Sequence, residues 1–193
     1  MPIAEKKCPN GGTHTHFSLN PPNAVRCGPA CISMVLNHTG HAGKGLDLDA
    51  ILALCQQYDA RGGLAANTFV AVTGPQIVAV LRNDFGYRHP VFERTTAASL
   101  KHRMRDSTEP IIVQVRLPSR TNVANYHWVI GLGRVYRRFG YSDYCFEDPL
   151  LGTRCQTIDD EARSTYKIAD GLLPGRLTGN GEISGWHVRG FGA

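Results

Sequence analysis

The 193-residue sequence contains no apolar run that approaches the ~18–20 residues needed to span a bilayer. Its first residues, MPIAEKKCPNGG, include two lysines but lack the apolar core of a secretory signal. We therefore expect no membrane span and no signal peptide. The chain is expected in the cytoplasm, or in a target cell to which a separate secretion system delivers it.

The sequence also lacks a cluster of basic residues, although its formal net charge is +5. A nucleic-acid interface concentrates lysine and arginine on one surface, interleaved with exposed aromatic side chains. The scattered charges therefore argue against nucleic acid and favour an acidic partner. Internal repeats and low-complexity segments are absent, and a content of 42% hydrophobic and 19% charged residues indicates one folded domain.

The six cysteines do not follow the dense pattern of small secreted domains that disulfides hold together. We expect free thiols by default, and only Cys145 and Cys155, which flank a short turn, are suitably spaced for pairing. A zinc site near the N-terminus would match no common ligand spacing. We therefore expect no metal and no organic cofactor; the residues considered as ligands are Cys8, His14, His16, Cys27 and Cys31.

The hydrophobic pattern predicts helices in the first half of the chain and strands in the second. A helical period indicates helices at residues 27–38, 47–58, 73–82 and 97–105. The period then changes, and β-branched segments predict strands at residues 111–117, 127–138, 144–149 and 153–158. Because helices precede strands joined by short turns, we expect an α+β fold with an antiparallel meander.

The ends of the chain have weaker patterns. Residues 1–22 are rich in Gly, Pro, Asn and His, which indicates an extended arm or loop. Residues 159–168, DDEARSTYKI, predict a small helix, and the tail that follows is rich in glycine. The tail is expected to pack on the same domain and to cover part of a site or bind a partner.

Cys27 is the first candidate for chemistry, because it opens the helix CGPACISMVL after a polar, proline-containing loop. Free backbone N–H groups and the helix dipole at this position favour a negative sulfur. Gly28 leaves the approach to the thiol open, and Pro29 suits a first helical turn. The alternative is that Cys27 only packs in the core.

His127 and Asp148 are the expected partners of this thiol. His127 opens an apolar strand, and Asp148 ends the next strand, 21 residues later. In an antiparallel pair, the start of one strand lies beside the end of the next, so the two side chains are expected to be close. A carboxylate there would hold the imidazole as the third member of a triad does. The alternatives are that His127 is only a structural histidine and that Asp148 only forms a local turn with Pro149.

These residues resemble a known family. The segments CGPACISMVL, NYHWVIGLG and FEDPLLG, together with EPIIVQV, are similar to papain-like cysteine peptidases of the bacteriocin-leader-processing (double-glycine) type and to related papain-fold bacterial toxin domains. The resemblance covers about residues 17–165, with residues 1–16 as an N-terminal arm and residues 166–193 as a C-terminal extension. It implies a helical half packed on an antiparallel sheet half.

By this resemblance, Cys27 is the nucleophile, His127 the general base and acid, and Asp148 the orienting residue. The implied activity is cleavage of peptide bonds in a protein substrate, without a cofactor. The implied biological role is that of an interbacterial toxin or effector, with a cognate inhibitor protein that covers the cleft. A glutamine deamidase or transglutaminase with the same triad, and a catalytically idle binding module, are the alternatives.

One position departs from the pattern of these peptidases. They carry a glutamine about six residues before the nucleophile, and this sequence has Pro21 there. Asn20 and Asn23 flank the proline, and either amide is expected to supply the oxyanion donor beside the Cys27 backbone N–H. Cys31, one turn after Cys27, is expected to be a core residue, with a resolving thiol as the alternative.

Overall fold

The computed structural model describes residues 4–7, 13–16, 26–41, 47–59, 72–94, 96–106, 109–117, 125–136, 142–149, 152–156, 165–166 and 181–191. Helices and strands are largely separated along the chain. Most helices come before residue 107, and most strands come after it. The architecture is therefore α+β, as the order of the sequence patterns predicts.

All four predicted helices are present. They are α1 (Cys27–His38), α2 (Leu48–Gln57), α3 (Gly74–Asn83) and α4 (Ala97–Asp106). Asp47 caps α2 by accepting a hydrogen bond from the Ala50 backbone N–H. Thr73 and Gln76 form a reciprocal capping box at the start of α3, where Pro75 also lies in the first turn. Local sequence chemistry thus sets where these two helices begin.

The strands form two antiparallel sheets within the described part of the chain. The small sheet pairs β1 (Ala4–Lys7) with β2 (Thr13–His16). The large sheet has the order β3-β9-β4-β5-β6-β7, with β8 paired to β9. Its strands are β3 (Val91–Arg94), β4 (Ile111–Leu117), β5 (Asn125–Tyr136), β6 (Ser142–Asp148), β7 (Gly152–Gln156), β8 (Thr165–Tyr166) and β9 (Gly181–Arg189).

The predicted meander β4-β5-β6-β7 is confirmed, but the sequence patterns missed the strands around it. Residues 165–166 form a strand, so the helix predicted over residues 159–168 is wrong at those positions. Residues 181–189 of the glycine-rich tail form β9, which lies between β3 and β4. Glycine is a poor strand former, and only pairing with two neighbours stabilises such a segment as a strand.

Apolar side chains pack on both faces of the large sheet, because successive residues of a strand point to opposite faces. Ile112, Trp128 and Ile130 belong to the core that contains α1, α2 and α3. Val113 and Val129 belong to a second core, which contains Leu100 and Met104 of α4. The sheet is therefore covered by helices on both sides, and its central strands are buried.

An ion-pair network joins the edge strand β3 to β9 and α4. Glu93 accepts a hydrogen bond from Arg189 Nε at 2.6 Å and pairs with Arg103 at 3.0 Å. The hydrogen bond from Arg189 lowers the pKa of Glu93, with further help from the neighbouring positive charges. His187 Nε2 lies 3.2 Å from the same carboxylate, and burial lowers the pKa of this histidine. The network holds a short strand in register.

The thiols do not all match the default expectation. Cys27, Cys31 and Cys55 are free and buried. Cys145, however, is disulfide-bonded, so the expectation of free thiols is wrong for this residue. The residue opposite Cys145 in the antiparallel register is Cys155. The short turn between the two cysteines made a pair possible, but sequence spacing alone did not establish the bond.

None of the helices that the structure describes combines the length and the apolar character required to cross a membrane.

The end of β9 makes a close contact that only glycine permits. Gly190 has φ +91°, and a Cβ there would lie 2.1 Å from the His89 carbonyl oxygen. Gly86 has φ +75° but open space around it. We predict that Gly190→Ala lowers the free energy of unfolding by about 3 kcal/mol or more, because the backbone must move. Gly86→Ala should lose only about 1–2 kcal/mol, the cost of the left-handed conformation.

Urea unfolding of the two variants measures both values. Equal losses would show that the contact between Gly190 and His89 is not a constraint on the fold.

Candidate active site

Cys27 lies at the first residue of α1 and is 3% exposed, so the approach to its sulfur is narrow. Pro29 fits this helix start, because backbone N–H groups of the first turn have no acceptor within the helix and the one that proline lacks is not missed. Arg26 occupies the N-cap position, and its side chain makes no capping hydrogen bond. An ion pair of 2.5 Å joins Arg26, the residue before the thiol, to the exposed Asp49 of α2.

His127 and Asp148 meet at one end of the sheet. Strand β5 begins two residues before His127, and β6 ends at Asp148. The antiparallel pairing of these strands brings the two side chains together, and His127 Nε2 lies 2.8 Å from Asp148 Oδ1. Both are buried, at 2% and 0% exposure. A hydrogen bond between a ring nitrogen and a carboxylate at this distance is short and charge-assisted.

The environment of His127 favours its protonated form. Burial opposes the charge and lowers the pKa, but the Asp148 charge, its hydrogen bond and the Cys27 side chain outweigh burial. Together they raise the pKa of His127 to about 10. The ring is therefore an imidazolium at neutral pH, held between a carboxylate and a thiol.

The second ring nitrogen of His127 is not used by Asp148. Asp148 occupies Nε2, so Nδ1 is the nitrogen left for Cys27. Nδ1 is buried and has no hydrogen bond of regular geometry to any part of the chain that the structure describes. Cys27 nevertheless raises the pKa of His127 both as a hydrogen-bonding neighbour and through its charge. Cys27 and His127 are thus near enough to interact electrostatically, although Nδ1 has no regular hydrogen bond to the described residues.

The structure brings Cys27, His127 and Asp148 together, but it does not describe the two candidate oxyanion residues. Asn20 and Asn23 lie outside the described residues. The backbone N–H of Cys27, at the start of α1, is the one proposed donor whose position is known.

Two further acidic or nucleophilic side chains lie close to this group. Cys31 is fully buried one turn after Cys27, and burial raises its pKa well above the usual 9.0, as do the charges of Cys27, Asp148 and Glu147. Such a thiol stays protonated, which agrees with the expected core role. Glu147 is a buried carboxylate one residue before Asp148, and no sequence pattern singled it out.

Val72 and Trp128 form a wall beside the thiol. The Trp128 indole N–H donates to the Val72 carbonyl oxygen at 2.7 Å. The Val72 side chain contacts the first turn of α1, and a Cβ at Gly28 would lie 2.8 Å from the Val72 Cβ. No sequence pattern singled out Val72, because its role depends on a contact between residues 44 positions apart in the chain.

Metal binding has no support from the part of the chain that the structure describes, since no three of its His, Cys, Asp and Glu residues are grouped as ligands. Side chains of Cys8, His14 and His16, considered above for zinc, are outside the description.

Comparisons with known proteins add no assignment. No protein-family model matches the chain, and a search of curated proteins finds no significant match. The geometry of the site is therefore the basis on which function is inferred.

The carboxylate at position 148 should control the protonation of His127. We predict that Asp148→Asn lowers the pKa of His127 from about 10, because the variant keeps the shape but removes the charge. NMR titration of labelled histidine measures this pKa. Glu147→Gln is the matched control, since it removes the neighbouring carboxylate but leaves the hydrogen bond of Asp148; it should shift His127 less.

The same shift predicts how stability depends on pH. The pKa of His127 is raised from its usual 6.5 to about 10 in the folded state. Its contribution to the free energy of unfolding is therefore fully present below 6.5 and is lost as the pH rises towards 10. Denaturant unfolding across this window should show the loss in the wild type and a much smaller loss in Asp148→Asn. Parallel curves for the two proteins would contradict the coupling.

Proposed function

We propose that the protein is a papain-like cysteine peptidase that cleaves peptide bonds through Cys27, His127 and Asp148. The observation that carries the proposal is the buried hydrogen bond of 2.8 Å between His127 and Asp148, beside a thiol at a helix N-terminus. These three residues come from α1, β5 and β6, elements that are distant in the chain.

The burial of this charged group is itself an argument for function. A buried ion pair costs desolvation energy, and apolar residues of similar volume often stabilise a core as well or better. Packing alone therefore gives no reason for His127 and Asp148 at these positions. Strongly perturbed pKa values in a buried group are typical of catalytic sites.

In the proposed mechanism, the ring of His127 holds the proton that Cys27 gives up. The Cys27 sulfur attacks the carbonyl carbon of the substrate, and the carbonyl electron pair moves to the oxygen. As the tetrahedral intermediate collapses, the C–N bond breaks and the amine takes the proton from His127 Nδ1. A thioester remains on Cys27. Neutral His127 then removes a proton from water, which attacks the thioester carbon. The C–S bond breaks, the carboxylic acid leaves, and Cys27 returns to the thiolate beside protonated His127.

Asp148 orients the base in this mechanism. Its Oδ1 accepts the Nε2–H of His127, which fixes the tautomer and turns Nδ1 towards the thiol. Its negative charge also stabilises the imidazolium that exists before amine release. Asp148 remains ionised throughout and transfers no proton itself.

The start of α1 supports the negative charges of the reaction. The N-cap residue Arg26 makes no side-chain capping bond, and the first turn contains no acidic residue that would repel an anion. The Cys27 backbone N–H is the proposed donor to the oxyanion, with the amide of Asn20 or Asn23 as the second. The helices on an antiparallel sheet, with the nucleophile on a helix and the base on a strand, support the papain-like assignment.

The first test is the loss of cleavage on removal of the thiol. We expect Cys27→Ala to reduce the appearance of new protein N-termini by about a thousandfold or more, when proteomes of cells expressing each variant are compared. Cys55→Ala is the matched control, because Cys55 is also a free buried thiol. Its pKa, raised to about 12 by burial, leaves it unreactive.

The same samples distinguish the alternatives. Deamidation would leave chains intact and replace the amide of a glutamine with a carboxyl group, and an idle binding module would change neither chains nor amides. New N-termini that persist in Cys27→Ala would exclude the peptidase mechanism.

A further inference from the structure

Trp128 follows His127 in β5, but its side chain belongs to the core on the α1 side of the sheet. It is 1% exposed, and its indole N–H makes a buried hydrogen bond of 2.7 Å to the Val72 carbonyl oxygen. A tryptophan could fill the same volume without that bond, since its ring also packs edge-on against Phe92 with centroids 6.4 Å apart. The hydrogen bond is therefore not needed to fill this volume, and its effect is on the position of the Val72 backbone.

Val72 also packs against the helix turn that contains the nucleophile. The residue is 3% exposed, and its Cβ would lie 2.8 Å from a Cβ at Gly28. Ordinary side chains do not approach this closely, so only glycine lets α1 come against Val72 at this distance. Gly28 is next to Cys27, and Trp128 is next to His127. A short chain of contacts thus runs from the base to the nucleophile behind the reacting atoms.

We propose that Trp128 is a positioning residue, which fixes the separation of Cys27 and His127 by holding the Val72 backbone against Gly28. The inference rests on the proposed function, because the separation matters only if thiol and imidazole act together. Trp128 touches neither substrate nor the reacting atoms. Its effect is to hold the α1 first turn and the β5 start at one distance.

The thiol itself gives a readout that needs no substrate. Alkylation by iodoacetamide requires a thiolate, and in mildly acidic buffer a cysteine stays reactive only if a neighbouring positive charge supports its anion. In mildly alkaline buffer, thiols ionise without such help. The ratio of the acidic to the alkaline rate for Cys27 therefore reports its pairing with His127 in folded protein. Thermal unfolding of each variant establishes first that it is folded, because unfolding would also remove the pairing.

The decisive variant is Trp128→Phe, which keeps an aromatic ring but removes the N–H. We expect the acidic-to-alkaline ratio to fall about tenfold or more, because small misplacements of paired groups have large effects on reactivity. Trp186→Phe is the matched control, since it removes the other tryptophan of the chain, and it should leave the ratio unchanged. The rates are measured by mass spectrometry of the Cys27 peptide.

Gly28→Ala tests the other end of the contact chain and covers the case in which Trp128→Phe fails to fold. The added Cβ would lie 2.8 Å from the Val72 Cβ, so some loss of stability is expected, and the alkylation ratio is read only in protein that thermal unfolding shows to be folded. The proposal expects the added Cβ to displace Val72 or the first turn and to lower the alkylation ratio.

The outcomes separate this inference from the function on which it rests. If His127→Ala alkylates in acid like the wild type, the catalytic pair is wrong. If His127→Ala lowers the ratio but folded Trp128→Phe keeps the wild-type ratio, the pair stands and the positioning role is overturned. A fall in ratio for folded Trp128→Phe supports it, and Gly28→Ala decides in the same way where Trp128→Phe does not fold.

Discussion

The hydrogen bond between His127 and Asp148 is the interaction on which the candidate site depends. It joins the start of β5 to the end of β6 at 2.8 Å, in a place with almost no access to water. Burial alone would remove the positive charge from the ring, and the carboxylate reverses this effect. Because apolar residues of similar volume often stabilise a core as well as a buried charged pair does, the pair is better explained by chemistry than by packing.

Two sets of contacts position the residues of the site. From the strand side, the antiparallel register of β5 and β6 fixes both residues at one end of the sheet. From the helix side, Gly28 packs closely against Val72, and Arg26 pairs with the exposed carboxylate of Asp49. The sheet register and the close packing at Gly28 are therefore the constraints on backbone position that bring the thiol near the imidazole.

Much of the fold was accessible from local patterns. The four helices and the meander β4-β5-β6-β7 follow from hydrophobic period and turn residues, which act between near neighbours. The strands at residues 165–166 and 181–189 did not follow, because their sequences favour helix or irregular structure. These segments are strands because they pair with partners far away in the chain, and a local pattern contains no information about such partners.

The sequence by itself determined the chemistry of the site: a cysteine that opens a helix, a histidine near the start of a strand, and an aspartate at the end of the next. Only the tertiary structure decided which ring nitrogen meets the carboxylate, how far the histidine is protonated, and which residues hold the thiol in place. The reason is physical. Residue order limits which groups can meet, whereas distances and burial depend on packing between elements that are remote in the chain.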